Sequence, residues 1–312
     1  MYIYQVKKWL EKNKYWVIGG VALLTLITII YISRRAKGVK GVIAKLFKSK
    51  KVLVCSHITA IDSSNGTKAE NTIKNIEVLI SNDIPIIEVD VQITKDGVPV
   101  LFHDNDLSPK TNGSGSISKM NWSDVSKLRY KADNSQGIAK LEDAIKILKK
   151  SGKPIIFQLD KCDANEIAKI NSLGLFKGVE EQMLSKSTSF TPPQSVVQSG
   201  ILYMPILPGS YVGKMNNDAV INEIVNKCKG KFFLEAQFGD NDTLLLNGTL
   251  AKRLNEIGCK LFIVAVPGAP TTNAPSFRGD NQKQWAKMIN PMGAGAIMTN
   301  RPLALKKYID TL

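Results

Sequence analysis

The sequence predicts an α/β fold, a (β/α)8 barrel, preceded by a single N-terminal transmembrane helix. Three observations predict it. From residue 52 onward, short apolar runs alternate with amphipathic helical stretches, the pattern of parallel strands joined by right-handed crossovers. Eight main runs fall within residues 52–312, the strand count and size of a TIM barrel. Ahead of them lies a charge-free stretch of 19 residues, Tyr15–Ser33.

In chain order, residues 1–14 form a basic tail and residues 15–33 the span. At 1.5 Å rise per residue the span nearly crosses a ~30 Å hydrocarbon core. Tyr15, Trp16 and Tyr31 sit at its ends, where interfacial aromatics belong. A secretory leader would need a small-residue cleavage site, but Arg34 and Arg35 follow. Residues 34–51 read as a basic juxtamembrane linker, and residues 52–312 as the barrel. Residues 1–51 carry 12 Lys/Arg and one acid, a charge of +11; the remaining 261 carry 30 basic and 26 acidic residues, only +4. The whole-chain pI of about 9.5 therefore comes from the N-terminus, and nucleic acid is not an expected partner of the barrel. The larger Lys/Arg count after the span places the barrel on the cytoplasmic side. Gly38–Lys51 mixes apolar residues with Lys and is expected on an anionic membrane surface or as a solvated linker. Four separated Cys without a CxxC exclude a zinc ribbon and a disulfide scaffold.

The strand runs are Val52–Ser56, Ile84–Gln92, Pro154–Asp160, Val179–Ser185, Leu202–Leu207, Lys231–Gln237, Leu261–Val266 and Gly295–Thr299, with Val98–His103 as an accessory strand. Helices are expected over Ala69–Ile80, Leu141–Lys150, Asp218–Lys227 and Leu244–Ile257. Gly152, Gly230 and Gly258 stand just past three of them, the usual helix stop. A doubly wound sheet would show a Gly-rich phosphate loop after its first strand; Cys55-Ser56-His57-Ile58-Thr59 is not one. The polar loops Asn105–Ser118 and Thr271–Gln282 follow strands, which places them on the catalytic face of a barrel.

The chain has two His, and both end strands: His57 and His103. Barrel enzymes keep catalytic groups at C-terminal strand ends, and imidazole suits proton transfer near neutral pH. Period 2 puts Glu88 and Asp90 on one face of an otherwise apolar strand. Two such carboxylates repel unless a cation lies between them, and an all-oxygen donor set fits Mg2+ or Ca2+ rather than Zn2+. In Phe157-Gln158-Leu159-Asp160-Lys161, Gln158 and Asp160 share a face; Asp160 either completes the metal site or forms an ordinary strand-end pair with Lys161. Glu235 reads as a structural acid.

These residues resemble the glycerophosphodiester phosphodiesterase family. Its pattern is a His-Arg-Gly strand end, then Glu-Asn-Thr, then E-x-D-V-x-x-T-K-D-G-x-x-V-x-x-H-D. Here stand His57, then Glu70-Asn71-Thr72, then the unbroken block from Glu88 to Asp104 with Thr94-Lys95-Asp96-Gly97 at its centre. Thr111-Asn112-Gly113 stands at the spacing of the family's Thr-Asn-Gly loop, and Thr299-Asn300-Arg301-Pro302 resembles its usual T-D-R-P ending, with Asn300 in place of the Asp. The resemblance spans residues 52–312. It implies a barrel hydrolysing glycerophosphodiesters to glycerol 3-phosphate and an alcohol. His57 and His103 would be the acid/base pair, Glu88 and Asp90 the metal ligands with Asp160 or Gln158 as the third, and Gln158, Lys161, Glu70 and Asn71 would serve the substrate. Which His is acid and which base stays open. Four departures stand out: Ile58 replaces the family Arg, Pro109-Lys110 stand where an Arg precedes Thr-Asn-Gly, the E-x-K motif reads Gln158-Leu159-Asp160-Lys161, and the late-strand Trp or Asn of many members is absent from Phe262-Ile263-Val264-Ala265-Val266. They keep open a second function class, a weak or non-catalytic barrel that binds a phosphate headgroup or a protein partner. Oligomeric state is not legible in the sequence.

Overall fold

Branched and aromatic residues fill the apolar runs, and such residues favour the pleated, doubly buried surface of a parallel sheet. A computed structural model of the chain describes residues 41–49, 51–62, 69–266, 277 and 279–312. Its strands are β1 (Leu53–Ser56), β2 (Ile86–Ile93), β3 (Pro99–Leu101), β4 (Ala139–Lys140), β5 (Ile156–Asp160), β6 (Met183–Ser187), β7 (Leu202–Pro205), β8 (Phe233–Glu235), β9 (Lys260–Val264) and β10 (Ala296–Thr299). The parallel sheet runs β7-β6-β5-β2-β1-β10-β9-β8. A bridge between Ile206 and Glu235 joins its two ends, where the Leu207 N–H donates to the Glu235 carbonyl at 2.7 Å. The eight expected barrel strands are thus present and the barrel is closed.

Parity assigns the two faces. Val54, Ile87, Val89, Phe157, Leu159, Ile263 and Ile297 point outward into the layer packed under the helices. The alternate residues point inward, and register sets Glu88 beside Gln158 and Asp90 beside Asp160. The accessory strand β3 pairs antiparallel with β2 and with β4. It belongs to an insertion with its own small core of Val100, Phe102, Leu107, Ile117, Val125 and Tyr130. At two residues, β4 is too short to leave a periodic signal.

The helices follow the expected pattern with two differences. The first runs Ile73–Ser81 rather than from Ala69, because Thr72 caps it by accepting the Asn75 N–H and Asn71 sits at φ 53°. The expected helix Leu244–Ile257 is two, Thr243–Leu246 and Thr249–Glu256. They part at Gly248, whose φ of 85° and close approach to the Pro291 carbonyl admit no side chain.

Residues 41–48 are helical. Ile43 and Leu46 are buried, and the Phe47 ring meets Phe233 edge-on at 5.5 Å, at the N-terminal end of β8. The compact unit begins at Val42, so residues 42–49, expected within the linker, pack with the barrel. Apolar side chains offered to a membrane surface by sequence are used up against the barrel instead, which leaves Lys45 and Lys48 outside. Among the described residues no helix is long and apolar enough to cross a membrane; the span expected over Tyr15–Ser33 lies outside them.

Candidate active site

The site is built at the C-terminal strand ends. After β1 the chain turns sharply through Ile58 (φ 46°) and Thr59 (φ 53°). This is a costly conformation for branched residues, and hydrogen bonds around Glu88 hold it. The Ile58 N–H donates to Glu88 Oε2, the Thr59 N–H to the Glu88 carbonyl at 3.2 Å, and the Asn71 N–H to the Ile58 carbonyl at 3.1 Å. Asn71 in turn grips Asp90. Its amide donates to Asp90 Oδ2 at 2.8 Å and its carbonyl oxygen accepts the Asp90 N–H at 3.0 Å. The strained turn and the left-handed Asn71 thus fix both carboxylates of β2.

Carboxylate oxygens of Glu88, Asp90 and Asp160 lie within 4.8 Å of one another. Glu88 is fully buried, and its Oε1 has no hydrogen-bond partner; neither has Nε2 of the buried Gln158. Cys55 Sγ donates weakly to Gln158 Oε1 at 3.8 Å. A buried carboxylate oxygen without a donor is costly, and three converging oxygens with one orphan are what a hard divalent cation satisfies. The donor set fits Mg2+ or Ca2+ chemistry.

Burial pushes the Glu88 carboxyl well up, and the Asp90 and Asp160 charges push the same way. Burial also raises Asp90, against the opposing effects of His103 and Asn71. Burial would raise Asp160 too, but the Lys186 ammonium, together with the Lys161 N–H and His57, outweighs it and holds that carboxyl below its usual range. Lys186, on β6, lies 3.0 Å from Asp160 Oδ2 and 3.4 Å from Glu235 Oε2. Burial opposes its charge, yet Glu235 and Asp160 together hold it firmly protonated.

His57 Nδ1 lies 2.8 Å from Asn300 Oδ1, and burial, more than this bond can offset, lowers its pKa below 6.5. Asn300 is itself fixed by Asp280, which accepts its N–H at 2.7 Å, the Trp285 indole N–H at 2.9 Å and the Thr299 hydroxyl. His103 Nδ1 lies 2.7 Å from Asp104 Oδ1. His103, Asp104 and Glu70 form a second cluster, with Lys110 paired to Glu70 and 3.8 Å from Asp104.

The four residues with the sharpest sequence signal, His57, His103, Glu88 and Asp90, meet at one barrel mouth, and Asp160 joins them. Gln158 lies beside Glu88. Glu70 and Asn71 are also there, but as partners of Lys110 and Asp90. The Lys161 side chain is exposed, and its N–H donates to Asp160 Oδ1 at 2.7 Å. Glu235 is the buried partner of Lys186. Sequence reasoning named Lys110 and Asn300 only as parts of motifs, with no role at the site, and missed Lys186 and Asp280. The strand expected to end at Ser185 stopped one residue before Lys186, which inward parity with Leu184 would have flagged.

A family model described as the glycerophosphoryl diester phosphodiesterase family matches residues 62–178, the stretch that carries Glu70, Glu88, Asp90, His103 and Asp160. Over that stretch the chain is similar to this family. Among its relatives is glycerophosphodiester phosphodiesterase 1 of Rattus norvegicus, 38% identical over 65 residues, which is 21% of this chain and 20% of the relative. The chain thus matches about a fifth of that relative's length. Solved structures are similar over much more of the chain. A glycerophosphoryl diester phosphodiesterase from Parabacteroides distasonis superimposes with a TM-score of 0.61 at 18% identity, over 84% of this chain and 87% of that one. A phosphodiesterase from Oleispira antarctica in complex with the product sn-glycerol-3-phosphate gives 0.58 at 19%, over 84% and 98%. At these identities the likeness establishes the barrel fold. Of the positions that differ from the family pattern, Ile58 donates its N–H to Glu88, Gln158 lies beside Glu88, and Asn300, where the pattern has Asp, meets His57 Nδ1.

Proposed function

We propose that the chain is a divalent-cation-dependent phosphodiesterase that hydrolyses a glycerophosphodiester, or a related lipid-derived phosphodiester, to glycerol 3-phosphate and an alcohol. Glu88, Asp90 and Asp160 would hold Mg2+ or Ca2+, with Gln158 at the rim of that set. When bound, the cation would supply charge stabilisation to the phosphoryl oxygens. The observation that carries this reading is the convergence of three carboxylates, one oxygen orphaned, on the mouth that also holds His57 and His103.

The partners of the two imidazoles divide their labour. Asn300 accepts from Nδ1 of His57, so Nε2 is the free base, and burial keeps the ring neutral; His57 takes the proton of the attacking hydroxyl or water. His103 has a carboxylate, Asp104, on Nδ1 and delivers a proton from Nε2 to the leaving oxygen. Asn71 orients Asp90, and Glu70 fixes Lys110 at the rim on the side of His103. Tyr15–Ser33 would anchor the protein in a membrane with the barrel on the cytoplasmic side, supported by the apolar span and the excess of Lys/Arg after it.

The test is hydrolysis of glycerophosphocholine by the full-length chain in detergent with Mg2+ or Ca2+, with and without chelator. Glycerol 3-phosphate release that stops on chelation is expected. Gln158, where the family places a carboxylate, favours one second reading, a barrel that binds a phosphate headgroup without cleaving it. An inert protein that still binds glycerol 3-phosphate would establish that alternative.

A further inference from the structure

Among the described residues, Glu88, Asp90, Asp160 and Glu235 line the barrel interior at its mouth, with the ammonium of Lys186 on β6 among them. Its side chain is only 10% exposed. We propose that Lys186 is the site's phosphate-contacting cation, which exchanges Asp160 for the phosphoryl oxygens when a divalent cation takes up Asp160. This rests on the phosphodiesterase reading.

Three observations carry the inference. The first is electrostatic: the mouth is lined by Glu88, Asp90, Asp160 and Glu235, and position 58, where the family pattern has Arg, is the uncharged Ile58. A charged donor binds a phosphoryl oxygen more strongly than a neutral one; Lys110 at the rim is taken up by Glu70, whereas Lys186 stands among the carboxylates inside the ring. The second is the shared carboxylate. Asp160 Oδ1 accepts the Lys161 N–H at 2.7 Å and Oδ2 holds the ammonium at 3.0 Å, while an Asp160 oxygen lies within 4.8 Å of those of Glu88 and Asp90. A cation held by all three carboxylates competes with Lys186 for Asp160. The third is reach. The β5–β6 register sets Leu159 beside Ser185, so the next pair is Asp160 with Lys186, on the inward face. A lysine's flexible stem and three donors let it keep Glu235, 3.4 Å away, while turning from Asp160 toward a ligand.

A lysine that merely neutralises Asp160 and Glu235 behaves differently when removed, because its loss then costs stability and leaves phosphate selectivity alone. The experiment is calorimetric titration of the full-length chain in detergent with Mg2+, then with glycerol 3-phosphate in the presence of Mg2+, for wild type, Lys186→Gln and Lys186→Arg. Loss of a charged hydrogen bond predicts about 10- to 100-fold weaker glycerol 3-phosphate binding in Lys186→Gln, recovery in Lys186→Arg, and Mg2+ binding as tight as wild type or tighter. Lys186→Gln that binds glycerol 3-phosphate like wild type overturns the proposal and leaves the phosphodiesterase reading standing. A wild type that binds neither Mg2+ nor glycerol 3-phosphate and cleaves no phosphodiester overturns both. If Lys186→Gln does not fold, the double variant Lys186→Met/Glu235→Gln, which removes the charges in pairs, is measured against Glu235→Gln with the same outcomes.

Discussion

Glu88 concentrates the physics of the site in one side chain. It is fully buried, one oxygen serves a strained turn and the other serves nothing in the protein. Its pKa in the metal-free fold is raised well above 4.5, so the native state keeps a proton that the unfolded chain has released. The stability this proton lends is present at low pH and lost as pH rises from 4.5 through the raised value. Glu88→Gln should therefore abolish the melting-temperature gain on adding Mg2+ or Ca2+ while flattening the pH dependence of the metal-free melt. A cation-induced gain that survives the substitution would place the ion elsewhere. His57 carries the second prediction at this scale. Burial lowers its pKa from 6.5, so the acid limb of kcat/KM should lie below 6.5. Asn300→Asp should move that limb upward, because a carboxylate stabilises the imidazolium; an unmoved limb would separate His57 from the base role. His57→Ala and His103→Ala should each lower kcat by about 10²–10⁴-fold without shifting the melt. Parity and strand-end position made His57, His103, Glu88 and Asp90 legible in the sequence. Asn300 was not, because its contact joins residues 243 positions apart.

At the scale of elements, the turn after β1 and the delayed start of the helix Ile73–Ser81 are one device. Pattern alone extended that helix back to Ala69, because amphipathic spacing does not register a left-handed residue. The structure instead leaves Glu70 and Asn71 outside the helix, where they reach Lys110 and Asp90. Asn71→Ala removes two buried hydrogen bonds to Asp90 and should cost about 1–3 kcal/mol, measured by denaturant unfolding, together with weakened cation binding. Unchanged cation binding would show that Asp90 needs no such grip. The same limit of pattern explains the helix expected over Leu244–Ile257, which breaks at Gly248. Gly248→Ala meets both a left-handed backbone and the Pro291 carbonyl; it should cost at least about 1 kcal/mol, read as a lower melting temperature.

For the molecule as a whole, strand count and order of elements were readable because parallel strands buried on both faces are uniformly apolar. Barrel closure was not, since it depends on one bridge between residues 206 and 235 that no local pattern encodes. Nor was the role of residues 41–48, whose mixture of Lys and apolar residues suits either a lipid surface or a protein face. Phe47 against Phe233 decides for the barrel, so a fragment beginning at residue 41 should melt higher than one beginning at residue 52. Equal melts would return this segment to the linker. The function of the molecule turns on whether one ion occupies the space between Glu88, Asp90 and Asp160. Anomalous scattering from crystals of the protein soaked in Mn2+ measures this directly. A single strong peak within bonding distance of all three carboxylates is the expected result; a protein that cleaves glycerophosphocholine while the peak lies elsewhere, or while chelator is present, would contradict it.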